Sequence, residues 1–341
     1  MKYLVTSALP YANAPLHLGH VLEIVQTDVW VRHKNLTEDE ALYFCASDTH
    51  GTPIMLKAKE LNITAEELID DLHKKHHQTF KSFNVKLANF HSTHSEENKE
   101  LTAEIFLKAL EKKYIHKKKI SQLFDEKEQI FLSDRFVKGT CPSCGADDQY
   151  GDACEKCGST YDALDLIDPK SVLTNTVPVI KESEHYFFKL NELQTFLKTN
   201  IQHISRQIPI KAKLDEWLDK DLKDWDVSRD EPYFGFNIPG ETTKYIYVWM
   251  DAPVGYLASI KNWSNKNKID FEELINKEDV KLVHFIGKDI VYFHLLFWPA
   301  MLKTFDINNL DEVFVHGFLT IEGNKMSKSK GNFILADNAL K

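Results

Sequence analysis

The sequence predicts an α/β fold in which two separate stretches of the chain contribute strands to one parallel sheet. Residues 1–50 follow the order strand, loop, helix and strand, and residues 246–320 again alternate apolar strands with helices. Four of the five cysteines lie in the mixed segment between them, which we expect to be an insertion, since insertions are tolerated at loop tips. The predicted parts are the first half of the sheet domain (1–110), the insertion (111–245), the second half (246–320) and a terminal loop segment (321–341).

Length and composition describe a globular chain. The 341 residues are 43% hydrophobic and 27% charged, which is enough for two or three cores. The net charge of −9 argues against a general nucleic-acid coat, although a local basic patch could still meet a phosphate backbone. No uncharged apolar run is long enough to span a membrane, and the N-terminus lacks a signal-peptide pattern. We therefore expect a cytoplasmic protein without a membrane partner.

The first fifty residues justify the first strands and helix. Residues 3–9 are apolar, the loop 10–15 contains two prolines, and valines then recur every fourth residue from Val21. The second strand, residues 42–46, ends at a polar stretch that contains Asp48. Ligands bind at the carboxyl ends of strands in open α/β sheets, which makes Asp48 a site candidate. An N-cap for the following helix is an equally good interpretation of this residue.

A capping-box pattern at residues 64–67 predicts the start of a long helix that carries His73, His76 and His77. Because no acidic or cysteine ligand stands beside these histidines, we interpret them as a solvated basic face. The lysine-rich run 112–119 has the same interpretation, with contact to RNA left open.

The cysteines predict a structural zinc site. Two CxxC pairs, each followed by glycine, lie within residues 138–160, and four thiolates close a tetrahedral shell around one Zn²⁺. Two disulfides are disfavoured in a reducing compartment, and a redox CxxC would not need a second copy. The fifth cysteine, Cys45, stands in an apolar run and is expected to be a core residue. The predicted ligands are Cys141, Cys144, Cys154 and Cys157.

The second half of the sheet domain is predicted from three apolar runs. Residues 244–249 predict a strand that leads into a helix, and residues 281–286 repeat the pattern before Gly287 and Asp289. A third strand is predicted over residues 312–320.

Two short motifs at opposite ends of the chain together indicate ATP. His17 and His20, in the sequence HLGH, fall on the first turn of a helix, where backbone N–H groups and the helix dipole favour an anion. Lys325 and Lys328, in the sequence KMSKS, can neutralise the charge that develops on a departing pyrophosphate. Neither motif alone would be convincing, because an isolated His-x-x-His pair is more often solvated or structural.

Six sequence fragments are distinctive in their order and spacing. They are ALPYAN (8–13), HLGH (17–20), the four-cysteine knuckle, WDVSR (225–229), YVWMDAP (247–253) and KMSKS (325–329). Together they resemble methionyl-tRNA synthetases along the whole chain. The resemblance implies the Rossmann-like catalytic domain of a class I aminoacyl-tRNA synthetase, with an inserted zinc-knuckle connective domain. It also implies a methionine–tRNA ligase that uses ATP to convert L-methionine into methionyl-adenylate and pyrophosphate, and then transfers methionine to tRNA(Met).

The same resemblance implies the site residues. Catalysis would need no general base, because the methionine carboxylate is already ionised, and Mg²⁺ would arrive with ATP. Without the resemblance, core packing would be the better interpretation of the aromatic residues. The implied catalytic residues are His17, His20, Lys325 and Lys328. The implied methionine contacts are Leu9, Tyr11, Asp48, Trp249, Ala252, Pro253, Tyr256 and His294. The implied ATP contacts are Asn13, His17, Gly19, His20, Gly287, Asp289 and Lys328.

In this family the lysine motif is followed by a helical anticodon-binding domain, whereas this sequence ends at Lys341, twelve residues after Ser329. We expect a monomeric fragment that retains mainly adenylate formation, with tRNA charging weak or absent. Two other hypotheses stay open. A silent fragment could bind RNA through its knuckle, which salt-dependent binding without nucleotide turnover would favour. A nucleotidyltransferase for another small substrate would adenylate something other than methionine.

Overall fold

The computed structural model describes residues 1–37, 39–132, 134–151, 154, 156–159, 161–307, 310–321, 323–325 and 334–340. The strands are β1 (Lys2–Ser7), β2 (Glu40–Ser47), β3 (Asn89–Ser92), β4 (Ile115–Asp125), β5 (Ile130–Phe131), β6 (Val137–Thr140), β7 (Gln149–Tyr150), β8 (Ile167–Ser171), β9 (Val179–Phe188), β10 (Trp225–Asp226), β11 (Ser228–Asp230), β12 (Lys244–Ile246), β13 (Val280–Gly287), β14 (Leu310–His316), β15 (Thr320–Ile321) and β16 (Asn324–Lys325). The helices are α1 (Leu18–Asn35), α2 (Thr52–Leu61), α3 (Ala65–Ser82), α4 (Glu96–Glu111), α5 (Gln194–Ile204), α6 (Ile208–Leu218), α7 (Val248–Asp251), α8 (Val254–Asn267), α9 (Phe271–Asn276) and α10 (Trp298–Thr304).

The central sheet has five parallel strands in the order β14-β13-β1-β2-β3, which confirms the predicted fold class. β1 lies in the middle and pairs on one side with β2 and on the other with β13, so residues far apart in sequence become neighbours. Leu4, for example, stands beside both Leu42 and Leu282. Helix α1 packs on one face of the sheet, while α8 packs on β2 and β3 at the other face and against α4. Each strand is therefore covered by apolar side chains, as a parallel sheet requires.

The segment between α4 and α7 forms separate antiparallel sheets. One has the strand order β10-β9-β4-β5, and the other, β7-β6-β8, leads into the cysteine pairs. The predicted strand over residues 244–249 is wrong in part. Only Lys244–Ile246 is extended, and it pairs with β11 outside the central sheet, while Trp249 lies in the helical turn α7. A short apolar run does not distinguish a strand from a buried helical turn. The predicted boundaries of the insertion stay predictions.

The helix predicted from residues 64–67 is α3, and its capping box is present. The interpretation of its histidines as a solvated face is wrong for His76, whose side chain is fully buried and whose Nε2 lies 2.9 Å from the carbonyl oxygen of Ala14. His73 is half-buried and stacks on Phe90 with 4.7 Å between ring centroids. The polarity of the surrounding lysines concealed the apolar side of this helix.

The third predicted strand ends earlier than expected, because β14 stops at His316, and Thr320 belongs to the short hairpin of β15 and β16. Among the described residues, no helix combines the length and the apolar character that would be needed to cross a bilayer.

Candidate active site

A cleft of about 630 Å³ opens at the carboxyl ends of β1, β2, β13 and β14. Its walls come from the segments that follow these strands, among them Leu9, Asp48, Gly287 and Gly317. Helix α1 contributes its N-terminus, and α7 with the start of α8 closes the opposite side. This is the position at which open parallel sheets bind ligands.

The HLGH motif forms the N-terminus of α1 through its own imidazoles. Nδ1 of His17 accepts the backbone N–H of Gly19 at 3.0 Å, and Nδ1 of His20 accepts the backbone N–H of His17 at 3.1 Å. The two rings stack with centroids 3.7 Å apart. Burial, together with the neighbouring His17, lowers the pKa of His20 to about 3. Since each neutral ring accepts at Nδ1, its proton lies on Nε2, which makes Nε2 a hydrogen-bond donor.

Asp48 is held at the cleft by the loop that follows β1. Its backbone N–H donates to the carbonyl oxygen of Pro10 at 3.0 Å, and its own carbonyl oxygen accepts the N–H of Ala12 at 2.7 Å. Helix α2 begins after Gly51 without a side-chain cap, so the interpretation of Asp48 as an N-cap is wrong. Burial, and to a smaller extent the nearby Asp251, raises the pKa of Asp48 well above its usual range. Its Oδ1 is buried and has no hydrogen-bond partner among the described residues.

Aromatic residues form a further wall of the same cleft. The rings of Trp249 and Phe293 stack almost parallel, 3.8 Å apart. Beside them the Tyr256 hydroxyl lies 2.7 Å from Nε2 of His294, whose Nδ1 lies 3.0 Å from the carbonyl oxygen of Ile290. Burial lowers the pKa of His294 to about 4, so this ring is neutral at physiological pH. The wall is thus uncharged, and the polar atoms of Tyr256 and His294 are satisfied within it.

Acidic side chains also line the cleft, close to the HLGH motif. Glu23 lies one turn beyond His20 on α1, and its Oε2 is 3.0 Å from Nε2 of His316 at the end of β14. The other ring nitrogen of His316 lies 2.8 Å from the carbonyl oxygen of Gly317. Because both nitrogens face acceptors, the pKa of His316 is raised, chiefly by the Glu23 carboxylate. Asp289 lines the cleft beside this pair.

The structure brings most of the predicted site residues together, although their roles as ligand contacts stay predictions. Asn13 does not line the cleft, and its backbone N–H donates to the carbonyl oxygen of Tyr11 at 2.9 Å. The backbone of Lys325 lies in β16, and Lys328 lies outside the described residues. The predicted residues that line the cleft are Leu9, Tyr11, His17, Gly19, His20, Asp48, Trp249, Ala252, Pro253, Tyr256, Gly287, Asp289 and His294.

Several cleft residues were missed from the sequence. Glu23 could have been found, because it lies three positions after His20 and therefore on the same face of α1. Arg229 lies in a recognised fragment without an assigned role, and its guanidinium sits 3.6 Å over the ring of Tyr247. Phe293 and His316 carry no local signal, because only the packing of distant segments directs them into the cleft.

The four knuckle cysteines converge as predicted, with their sulfur atoms all within 4.8 Å of one another. The Sγ atoms of Cys141 and Cys157 are 3.9 Å apart, and those of Cys144 and Cys154 are 3.6 Å apart. A tetrahedral shell with Zn–S bonds of about 2.3 Å places its sulfurs about 3.8 Å apart. These separations therefore fit four thiolates around one metal ion and exclude disulfides, whose sulfurs are bonded at about 2 Å.

Fold and cleft together describe a protein of the parallel α/β class with a ligand-sized cleft at the carboxyl ends of its strands, and comparison with known proteins places it more closely. The family model described as tRNA synthetases class I (M) matches residues 3–341, and the chain belongs to this family. A solved structure of methionyl-tRNA synthetase from Mycobacterium tuberculosis, in complex with methionyl-adenylate, matches with a TM-score of 0.75 and 24% identity over 98% of this chain. A second structure of that enzyme, also bound by methionyl-adenylate, matches with a TM-score of 0.75 and 23% identity over 99%. The chain spans 60% and 61% of those two proteins, respectively.

Proposed function

We propose that this chain activates L-methionine with ATP to form methionyl-adenylate and pyrophosphate, as part of a methionine–tRNA ligase. In this step a carboxylate oxygen of methionine attacks the α-phosphorus in line. A bond from that oxygen to phosphorus forms, and the bond to the β,γ-pyrophosphate breaks. The attacking carboxylate is ionised at neutral pH, so the reaction needs positioning and charge stabilisation but no base.

The observation that carries this proposal is a buried carboxyl group whose Oδ1 has no hydrogen-bond partner among the described residues, in the same cleft as an apolar aromatic wall. Asp48 would accept hydrogen bonds from the α-ammonium of methionine, which supplies the counter-charge that its buried Oδ1 lacks. Trp249, Phe293 and Tyr256 would surround the side chain. Sulfur–aromatic contacts contribute about 0.3–1.5 kcal/mol each, so this wall suits a thioether.

The HLGH end of the cleft suits the phosphates. His17 and His20 would donate from Nε2 to phosphate oxygens, because their Nδ1 atoms are occupied by backbone N–H groups. The N-terminus of α1 adds the helix dipole. Lys325 and Lys328 would neutralise the departing pyrophosphate. One turn further along α1, the carboxylate of Glu23, together with that of Asp289, would accept hydrogen bonds from the ribose hydroxyls, while Gly287 would allow close approach of the backbone.

Metal ions would play two separate roles. Among the described residues, the four cysteines form the one group suited to hold a metal ion, and we infer that it is a structural Zn²⁺. Mg²⁺ would instead arrive with ATP and be held mainly by phosphate oxygens and water, where it neutralises phosphate charge. Transfer of methionine to tRNA(Met) is proposed for the whole protein, of which tRNA(Met) would be the macromolecular partner.

The test is methionine-dependent exchange of labelled pyrophosphate into ATP, which reports adenylate formation without tRNA. We expect exchange with methionine but not with leucine, isoleucine or valine, and strongly reduced exchange in Lys328→Ala. Exchange with another amino acid or acid would favour a nucleotidyltransferase for a different substrate. No exchange by folded protein, together with salt-dependent RNA binding, would favour the silent RNA-binding fragment.

A further inference from the structure

His50 is fully buried just outside the cleft. It lies next to the segments that carry Asp48, Tyr11 and Trp249 into the cleft. Its Nδ1 makes a hydrogen bond to the carboxylate of Asp251, which is also buried. Its Nε2 lies 3.0 Å from Nδ1 of His94. The edges of Phe234 and Phe236 surround the ring, with centroids 5.6 Å and 4.6 Å away. The imidazole can therefore adopt one orientation, fixed by hydrogen bonds at both nitrogens.

The backbone of His50 is engaged as fully as its side chain. The backbone N–H groups of His50 and Thr49 lower the pKa of the Asp48 carboxyl, against the larger effect of burial. The carbonyl oxygen of His50 accepts the Tyr11 hydroxyl at 2.9 Å. The next residue, Gly51, turns the chain with φ of +107°, and a Cβ there would lie 3.3 Å from that same hydroxyl. A shift of His50 would therefore move the backbone next to Asp48 and the Tyr11 contact together.

Asp251 extends this connection to the aromatic wall. It ends α7, the helical turn that carries Trp249 into the cleft. The bond between His50 and Asp251 thus joins the segment after β2, which presents Asp48, to the element that presents Trp249. Because both partners are buried, loss of either leaves a polar group without its partner in an apolar region.

We propose that His50, held by Asp251, is the positioning residue that sets the distance between Asp48 and the aromatic wall. That distance determines how well an amino acid fits with its α-ammonium at Asp48 and its side chain against the wall. This inference rests on the proposed function, since it presumes that methionine occupies the cleft. His50 does not line the cleft, so it acts through Asp48, Tyr11 and Trp249.

The experiment compares two substitutions that differ in the atom they preserve. His50→Asn places an amide N–H near the position of Nδ1 and keeps a donor for Asp251. His50→Gln is closer in length but places its amide near Nε2. We expect His50→Gln to raise the KM for methionine about tenfold or more, because one buried hydrogen bond is lost. The KM for ATP should stay within about twofold of the wild-type value. His50→Asn is expected to recover most of the affinity for methionine.

Direct binding, followed by tryptophan fluorescence, separates this inference from the proposed function. If wild type does not bind methionine, the proposed function fails. If wild type binds and His50→Gln binds equally well, or if His50→Asn is the weaker of the two, the positioning role is overturned. Equal losses for methionine and ATP would also overturn it, because they indicate general unfolding. As a further check, the double variant His50→Gln/Asp251→Ala should bind methionine no more weakly than whichever single variant binds it less tightly.

Discussion

The Tyr256 hydroxyl donates a hydrogen bond to Nε2 of His294 across 2.7 Å. The direction follows from the other ring nitrogen: Nδ1 lies 3.0 Å from the Ile290 carbonyl oxygen, which can only accept, so Nδ1 carries the proton. The pair is buried in the aromatic wall of the cleft and presents no charge to it.

Tyr256→Phe should remove this donor and leave Nε2 of His294 buried without a partner. We expect the free energy of unfolding to fall by about 1–3 kcal/mol and the KM for methionine to rise, while the KM for ATP stays unchanged. Tyr43→Phe is the matched control. It also removes a buried phenol donor, to Ser7 Oγ at 2.7 Å, but Tyr43 does not line the cleft. A rise in the methionine KM in both variants would contradict the role given to Tyr256.

His20 caps the start of α1 and is proposed to contact phosphate, and substitution can separate these two roles. His20→Asn retains an acceptor near Nδ1 for the N–H of His17 but loses Nε2. His20→Ala loses both. We expect similar losses of pyrophosphate exchange in the two variants, with the free energy of unfolding lowered by about 0.5–2 kcal/mol in His20→Ala alone, the usual effect of losing a cap. Urea unfolding and exchange rates measure the two properties. Full activity of His20→Asn would show that Nε2 does not contact the phosphates.

Gly287 has a stricter steric requirement than Gly317, although both line the cleft. A Cβ at Gly287 would lie 2.5 Å from Oδ1 of Asp289, whereas one at Gly317 would meet nothing within 4 Å. We expect Gly287→Ala to displace the Asp289 carboxylate and raise the KM for ATP, with little change in the KM for methionine. Gly317→Ala should leave both constants near those of wild type. Equal effects of the two substitutions would argue against a ribose contact at Asp289.

The contribution of His294 to stability should fall on mild acidification, because the folded protein keeps this residue neutral. Its pKa is lowered to about 4 by burial, whereas the unfolded chain takes up a proton near the ordinary value of 6.5. The unfolded state therefore binds more protons below pH 6.5, and the loss of stability continues until the pH approaches about 4. One group of this kind changes the free energy of unfolding by at most about 1.4 kcal/mol per pH unit.

The measurement is the free energy of unfolding in urea between about pH 7 and pH 5, for wild type and His294→Gln. We expect a shallower pH dependence in the variant. Groups whose pKa is shifted in both proteins, such as the raised Asp48, cancel in the difference. Identical slopes would show that His294 does not resist protonation.

Loss of one knuckle thiol should separate structure from catalysis. Cys154→Ser is expected to lose about one zinc per chain and to destabilise the segment that carries the cysteines before adenylate formation is affected. Cys45→Ser is the control, because Cys45 is buried beside Ser7 in the sheet core and should leave the zinc content unchanged. Elemental analysis gives the metal content and pyrophosphate exchange gives the activity. Unchanged zinc in Cys154→Ser would contradict the four-thiolate site.

The parts of the site that were predictable from sequence are those with local signals. The CxxC spacing brings two sulfurs of each pair together within a single turn, and the HLGH spacing puts two rings on one helical turn. The Asp48 position followed from the general behaviour of parallel strand ends. His76 was misjudged for the opposite reason, since its neighbours in sequence are charged whereas its neighbours in space are buried.

By itself, the sequence determined the α/β class, the convergence of the four knuckle cysteines and the place of the HLGH motif at the start of α1, because each depends on residues close together in the chain. Only the tertiary structure decided that β13 enters the sheet beside β1, and hence that His316 meets Glu23 and His50 meets Asp251. Those contacts join residues separated by hundreds of positions. They form because burying both faces of the central sheet fixes where each distant segment ends, and no local pattern records that arrangement.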